Sequence, residues 1–490
     1  MRINYFFAAL AATVIRGENP SEALRFTDVK QKKDKKKKKQ SKIDKHLEVA
    51  IQNSKQYVTQ KMEEVGAPGM VVAVSVDGKT VWKQGFGYAD VENKVPCTPS
   101  TVMRVASISK SFTAMAAARL MEEGKLDLDK NIQEYAQSFP EKSYNGEKVT
   151  ITLRHLLLHL SGIRHYSKTL DKPKPPKIES ELSEYYITKQ YSSVTEALAL
   201  FKDDPLLYKP GEEFLYTTHG WTLISAILEE VSGRDFLSLM QDNFRRLGMN
   251  ETYADVHNKL IYNRSRYYIR KNGKLENVPY VNNSYKWAGG GFLSTVGDLM
   301  KFGNAMMYSY QYKADVSNNN ENEENKEKTQ NRTPGILKAE TVHKMWHQVV
   351  HRKRERNSKL NENASYGLGW EVYPVMEQFG CCPKWQLEVC HTGGAIGASS
   401  ILFLLPDTNS HIPVQGSTSD RENEIEVSLC KLALHSDSDV QQTSVNKDSN
   451  EKQCAVKGIA VAIITNMQSV GLTQLARDLA QEFDKNLRSD

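Results

Sequence analysis

The chain reads as an α+β protein in which strands from its two ends join into one antiparallel sheet, with a long helical region inserted between them. Three observations predict this. Gly69–Val76 (GMVVAVSV) and Lys79–Phe86 (KTVWKQGF) are two β-rich runs separated by Asp77-Gly78, the dipeptide of a tight hairpin. Ala398–Leu405 (ASSILFLL) and Gly458–Thr465 (GIAVAIIT) are further strand-like runs near the other end. The sequence between them is mainly of helical period.

Two helices stand out in that middle. Ile108, Phe112, Met115, Leu120 and Met121 form an apolar stripe that stops at Gly124. Trp221, Ile224, Ile227, Leu228 and Val231 form another, which stops at Gly233. Leu472–Phe483 adds a C-terminal segment of helical spacing. A sheet made from the two termini, with helices inserted, leaves a seam where a catalytic cleft can form.

Polar segments interrupt this pattern. Residues 16–45 end in a lysine run, 313–334 contain NNNENEENKEKTQN, and roughly 409–455 are rich in Ser, Asp, Asn, Lys and Gln. A shorter insertion, 168–193, opens with KTLDKPKPPK and is expected at the periphery. Such stretches bury too little apolar area to offset their ordering entropy. The expected organisation is a targeting segment and lysine-rich arm over 1–45, then one catalytic domain over 46–490 carrying the three insertions.

Composition excludes several classes. Lys plus Arg number 65 against 59 Asp plus Glu, a balance of +6, and much of the excess lies in Lys30–Lys39. One local basic run reads as a solvated arm and not as a nucleic-acid surface. Six cysteines, unevenly spaced and without a CxxC pair, read as free thiols; they suggest neither a disulfide framework nor zinc. The apolar stretch Tyr5–Ile15 is too short to span a bilayer and suits a signal or organelle presequence. No later stretch offers about 20 uninterrupted apolar residues.

The chemistry begins at Ser107-Ile108-Ser109-Lys110. Residues three apart on a helix share a face, so the lysine amine can reach the serine hydroxyl. A serine needs a base to become a nucleophile, and a lysine serves once burial or neighbouring positive charge lowers its pKa. A helix N-terminus adds positive potential for a developing oxyanion. Ser-x-x-Lys recurs at Ser428–Lys431, Ser444–Lys447 and Ser449–Lys452, all inside a polar segment with no apolar helix behind them.

Two more elements join Ser107 and Lys110. Tyr216-Thr217-Thr218 lies just before a helix, where a phenol can point into a cleft and relay a proton. His391-Thr392-Gly393-Gly394 follows an apparent strand, Leu387–Cys390; its glycines allow close approach of a substrate backbone and leave N–H groups for an oxyanion. His155, His159 and His165 in RHLLLHLSGIRHY lie close together, but no carboxylate or cysteine accompanies them, so they read as structural and no metal or other cofactor is expected. The glycines at 289–291 and Thr295-Val296-Gly297-Asp298 read as a turn entering a helix, with packing roles.

Taken in order, the three elements make the chain resemble the serine β-lactamase and DD-peptidase (penicillin-binding protein) superfamily, in particular its mitochondrial animal members. The resemblance runs from about Glu63 to Asp490 and is carried by VGAPGMVVAVSVDGK, SISKS, HLSGIRHY, FLYTTHGWTL, VNNSYKWAGGGFLSTVGDLMKFGNAM, CHTGGAIGASS and NMQSVGL. It implies a β-lactamase-like fold and no metal. It implies an acyl-enzyme on Ser107 with Lys110 as base and Tyr216 assisting. It also implies an oxyanion hole from the N–H groups of Ser107 and Gly394, with His391, Thr392 and Gly393 along the substrate edge.

Two positions depart from the bacterial pattern: Thr218 replaces the asparagine of the tyrosine motif, and His391 replaces the lysine of the final strand. A mostly neutral histidine there weakens recognition of a lactam carboxylate. The resemblance further implies a mitochondrial serine protease acting on peptide or protein, tied to lipid metabolism and assembling as a homo-oligomer or filament. A small-molecule esterase or weak β-lactamase, and a filament scaffold with little turnover, stand as alternatives.

Overall fold

Asp77 and Gly78 both take positive φ, 47° and 77°, and set Val76 opposite Lys79. That pair of left-handed residues makes the tight hairpin its dipeptide predicts. The second strand runs on to Asp90, beyond the expected Phe86. This computed structural model describes residues 44–166, 184–312, 335–347, 349–351, 364–374, 386–407 and 456–488. The lysine run, the insertions at 313–334 and 409–455, the other Ser-x-x-Lys matches, and Cys381, Cys382, Cys430 and Cys454 lie outside the described residues. Cys97 and Cys390 are buried free thiols.

The described chain falls into two units. One comprises residues 44–56 with 481–488, where His46 Nδ1–H donates to Asn486 O and Asn53 Nδ2 donates to Glu482 Oε1. The other, 57–480, holds the sheet and the helical region.

The main sheet has nine described strands in the order Val350–His351, Ser365–Tyr366, Glu371–Tyr373, Glu388–Ala395, Ala398–Pro406, Gly458–Thr465, Gly69–Val76, Lys79–Asp90, Val95–Pro96. It is the sheet expected from the two ends, with Met70 opposite Thr465 in antiparallel register. Its central strands are buried at every position, which explains why their sequences are continuous apolar runs instead of alternating ones. Helix Val296–Gln311 lies close on one face: a Cβ on Gly303 would sit 2.9 Å from Leu404 Cδ2.

The helix Ile108–Glu122 corrects the stripe reading. It is buried on all sides, not along one face. Alanines at 114 and 116–118 let neighbours approach closely, and each polar residue is met by backbone from another segment. Ser109 Oγ accepts from Phe292 N–H, Lys110 Nζ donates to Gly289 O, Ser111 Oγ donates to Gly369 O, and Thr113 Oγ donates to Ala288 O. Four satisfied polar groups are what make all-round burial tolerable. The helix ends as expected, with Gly124 at φ 70°; the helix His219–Ser232 ends likewise at Gly233, φ 66°.

A second correction concerns the insertion at 168–193. Most of its described end is peripheral, with 188–190, 192 and 193 exposed, but its first described residue is not. Glu184 is buried against Arg164, which holds it through NH1 and NH2 at 2.7 and 3.0 Å, while the Arg164 Nε–H donates to Asp204. His219 Nε2–H donates to the same Glu184 carboxylate at 3.0 Å. The buried ion pair draws the following tyrosines, Tyr185 and Tyr191, onto the helical region.

Phe112 is fully buried, with ring centroids 4.8 Å from Phe302 and 5.3 Å from Phe244. Phe112→Ala is expected to lower the unfolding free energy by about 3–5 kcal/mol in denaturant titrations. A loss under about 1 kcal/mol shows that the helix is not packed on that side.

Candidate active site

Ser107 caps the N-terminus of the buried helix but spends no side-chain hydrogen bond on capping. The residue before it, Ala106, is held at φ 48°, a left-handed conformation that costs a non-glycine residue about 1–2 kcal/mol. Neighbouring bonds hold the backbone there: Ser400 Oγ–H donates to Val105 O at 2.7 Å, and Ser109 N–H donates to Ala106 O. Gly393 comes so close that a Cβ on it would lie 2.4 Å from Val105 O. The glycine-bearing strand is therefore pressed against the nucleophile turn, and only glycine allows it.

Lys110 sits one turn along with its Nζ 2.9 Å from Ser107 Oγ and 2.6 Å from Gly289 O. Burial, to 0% exposure, pushes its pKa well below the usual lysine range, and the Lys286 charge pushes it further. The carbonyl of Gly289 can only accept. In its neutral form the amine keeps that bond and turns its lone pair to the serine hydroxyl, the arrangement a general base requires. Gly289 thus does more than pack, as the sequence reading had it: its carbonyl aims the amine. Thr295 does begin a helix, capping it by accepting from Asp298 N–H.

Tyr216 places its ring 4.8 Å from Lys110 Nζ. Its loop is fixed by two of the three clustered histidines. His159 Nδ1 accepts from Thr217 N–H at 3.0 Å and His165 Nδ1 from Thr218 N–H at 3.1 Å. Burial keeps His165 well below its usual pKa, hence neutral and able to accept. His159 also packs against the Tyr216 ring, tilted by 31° with centroids 4.3 Å apart. His155 stays structural, in a capping box at the start of the helix Leu153–Leu157. Among the described residues no group of His, Cys, Asp or Glu could hold a metal ion.

The third motif lies within one strand, Glu388–Ala395, and the turn follows it at Ile396-Gly397. The sequence reading puts His391 on the substrate edge. The structure turns its ring inward, at 1% exposure. His391 Nδ1–H donates to Thr392 O at 2.7 Å, and Nε2 accepts from the Tyr366 hydroxyl at 2.9 Å. Both ring nitrogens are engaged within the protein, so the ring does not face the substrate edge. Thr392 and Gly394 are the accessible residues of the motif; Gly394 is exposed, and a Cβ on it would meet nothing within 4 Å. Tyr366 and Lys286 were not found by sequence reasoning. Tyr366 joins the motifs, its ring 4.7 Å from His159 and 6.2 Å from Tyr216 while its hydroxyl holds His391.

Comparison with known proteins fits this geometry. Residues 55–480 match the family described as Beta-lactamase. The chain is 41% identical over 494 positions to Serine beta-lactamase-like protein LACTB, mitochondrial, of Mus musculus, covering 89% of this chain and 81% of that protein. Two solved structures share the fold. The octameric penicillin-binding protein homologue from Pyrococcus abyssi matches at TM-score 0.58 and 23% identity, over 89% of this chain and 77% of that one. EstCE1, a hydrolase with promiscuous acyltransferase activity, matches at TM-score 0.59 and 19% identity, over 91% of this chain and 99% of that one.

The lowered Lys110 pKa fixes the sign of a pH profile. With the neutral amine as base, acylation of Ser107 is expected to be lost as pH falls through the Lys110 pKa and to be level above it. Stopped-flow acylation by an activated ester is expected to reach its plateau well below the ordinary lysine pKa of about 10.4. A rate that keeps climbing to that value means Lys110 is not a depressed base.

Proposed function

The chain belongs to the beta-lactamase family, and on that premise we propose that it is a mitochondrial serine hydrolase that cleaves peptide bonds through an acyl-enzyme on Ser107. The observation that carries the chemistry is the buried Lys110 amine 2.9 Å from the Ser107 hydroxyl. In this reading Lys110 takes the serine proton as Oγ attacks the carbonyl. Tyr216, beside the amine, passes a proton to the leaving nitrogen. The N–H groups of Ser107 and Gly394 receive the oxyanion, with Gly393 keeping the two segments close enough to share it.

A peptide substrate is favoured by the strand edge. Of the strand Glu388–Ala395, the neighbour Glu371–Tyr373 covers only Glu388–Cys390. From His391 onward, among the described residues, that side of the strand carries no further strand, although Thr392 Oγ–H is held by Glu371 at 2.9 Å. An extended peptide can lie along such an edge and align its scissile bond by main-chain hydrogen bonds. The mitochondrial location follows the printed name of the 41% identical relative. A connection to lipid metabolism and assembly into a homo-oligomer or filament are carried by the family resemblance.

Ser107 is expected to be the serine labelled by a fluorophosphonate, with labelling abolished in Ser107→Ala and the fold retained by circular dichroism. Peptide-library profiling of wild type and Ser107→Ala in parallel tests the substrate class. Ser107-dependent cleavage of peptides supports the reading. Turnover confined to small esters replaces it with an esterase, and an adduct mapped to any other serine overturns the site.

A further inference from the structure

Lys286 is a buried lysine that the mechanism above does not use. It closes the turn Ser284–Lys286, three residues ahead of the Gly289 carbonyl that aims Lys110. Its residue exposure is 4%. The ammonium faces three aromatic rings, 5.0 Å from the centroids of Tyr185 and Tyr285 and 5.6 Å from that of Tyr166. Such faces attract a cation but do not neutralise it. Among the described residues Lys286 Nζ makes no hydrogen bond and no ion pair.

The one carboxylate whose field reaches it, Asp255, is already committed. Asp255 accepts from Arg104 Nε at 2.7 Å and from Asn283 Nδ2 at 2.6 Å, and it pairs with Arg264. Two arginines and one lysine therefore share a single anion, and the region carries surplus positive charge. Burial, with the Arg104 charge adding to it, pushes Lys286 down to about 7, as befits an ammonium lacking a counter-ion.

The position of this charge is as informative as its lack of a partner. Tyr185, which walls the ammonium, directs its hydroxyl to Gly394 O at 3.5 Å, and Arg104 NH1 donates to Ile396 O at 2.7 Å. On the other side the Lys286 charge is felt at Lys110 and His165. Lys286 thus neighbours the base on one side and, through Tyr185, the glycine strand on the other. His391, buried and bonded to Tyr366 and Thr392, does not face that side.

We infer that Lys286 is the anion-binding group of this site: its ammonium receives a carboxylate on the acyl donor whose carbonyl Ser107 attacks, so that anionic substrates are preferred. The inference rests on the hydrolase reading, which it deepens by naming a substrate class and the residue that selects it.

The test uses the full chain and two esters of one shape, the mono(4-nitrophenyl) ester of glutaric acid and its uncharged primary-amide twin. Wild type is expected to favour the anionic ester by about tenfold or more in kcat/KM, the usual worth of a charge-assisted bond. In Lys286→Met the ratio falls to about one, and in Lys286→Arg most of it returns. Removing the charge also lets Lys110 hold its proton more tightly, which slows both esters alike and leaves the ratio as the readout. An unchanged ratio in Lys286→Met overturns the proposal.

Calorimetric binding of the same esters to Ser107→Ala separates the two readings. Tighter binding of the anion, lost in Ser107→Ala/Lys286→Met, supports the anion site even where wild type cleaves neither ester; in that case the hydrolase reading is what fails. Equal binding of the twins to Ser107→Ala overturns the anion site, and needs no Lys286 variant to fold.

Discussion

Everything at this site depends on the helix Ile108–Glu122 being enclosed on every side. A lysine at its first turn cannot reach bulk water, so its amine is held by what the protein places around it: a serine hydroxyl, one carbonyl and an aromatic ring. Desolvation of that amine disfavours its charged form. The same enclosure requires that Ser109, Ser111 and Thr113 find backbone partners, and those partners belong to the segments that form the rest of the cleft. Packing and reactivity are thus one requirement. Ser107 stays half-open to solvent, at the helix start where Ala106 bends the chain.

Charge is distributed around the site with the same economy. Arg164, Glu184, Asp204 and His219 form a tightly bonded set in which the cation does not lack an anion, and it anchors the segment after 184. Removing one partner of such a buried pair typically costs about 3–5 kcal/mol, because the other is left uncompensated. The set around Asp255 is different, since its positive groups outnumber its negative ones. The first arrangement serves as a fastening, whereas the second leaves an attraction unused within the folded chain.

The parts of this picture that were legible in the sequence are those written locally. The hairpin is spelled by Asp77-Gly78, the sheet by four apolar runs, the Ser107–Lys110 pair by a spacing of one helical turn, and the helix ends by glycines at 124 and 233. What was not legible depends on contacts between distant segments. A lysine between a tyrosine and a tryptophan, as at 286, looks like any other until three tyrosines from separate segments are seen around it. Tyr366 sits in a two-residue strand with no periodicity of its own. The histidines at 159 and 165 read as structural from the sequence, but the work they do, accepting two successive N–H groups, is a role that spacing does not encode. The stripe assigned to the buried helix was too narrow because small and hydroxylated residues read as surface until their partners are known.

The pairing of Met70 with Thr465 has a consequence for the birth of the protein. During synthesis the strand Gly69–Val76 emerges long before Gly458–Thr465, the partner that shields one of its edges. Until that partner is made the hairpin has an unpaired, largely apolar edge, a form of nascent chain that invites association with others. Such long-range pairing also folds slowly once it becomes possible. Any chain released before residue 458 lacks the strand Gly458–Thr465 that joins the two halves of the sheet, whatever the state of Ser107 and its neighbours.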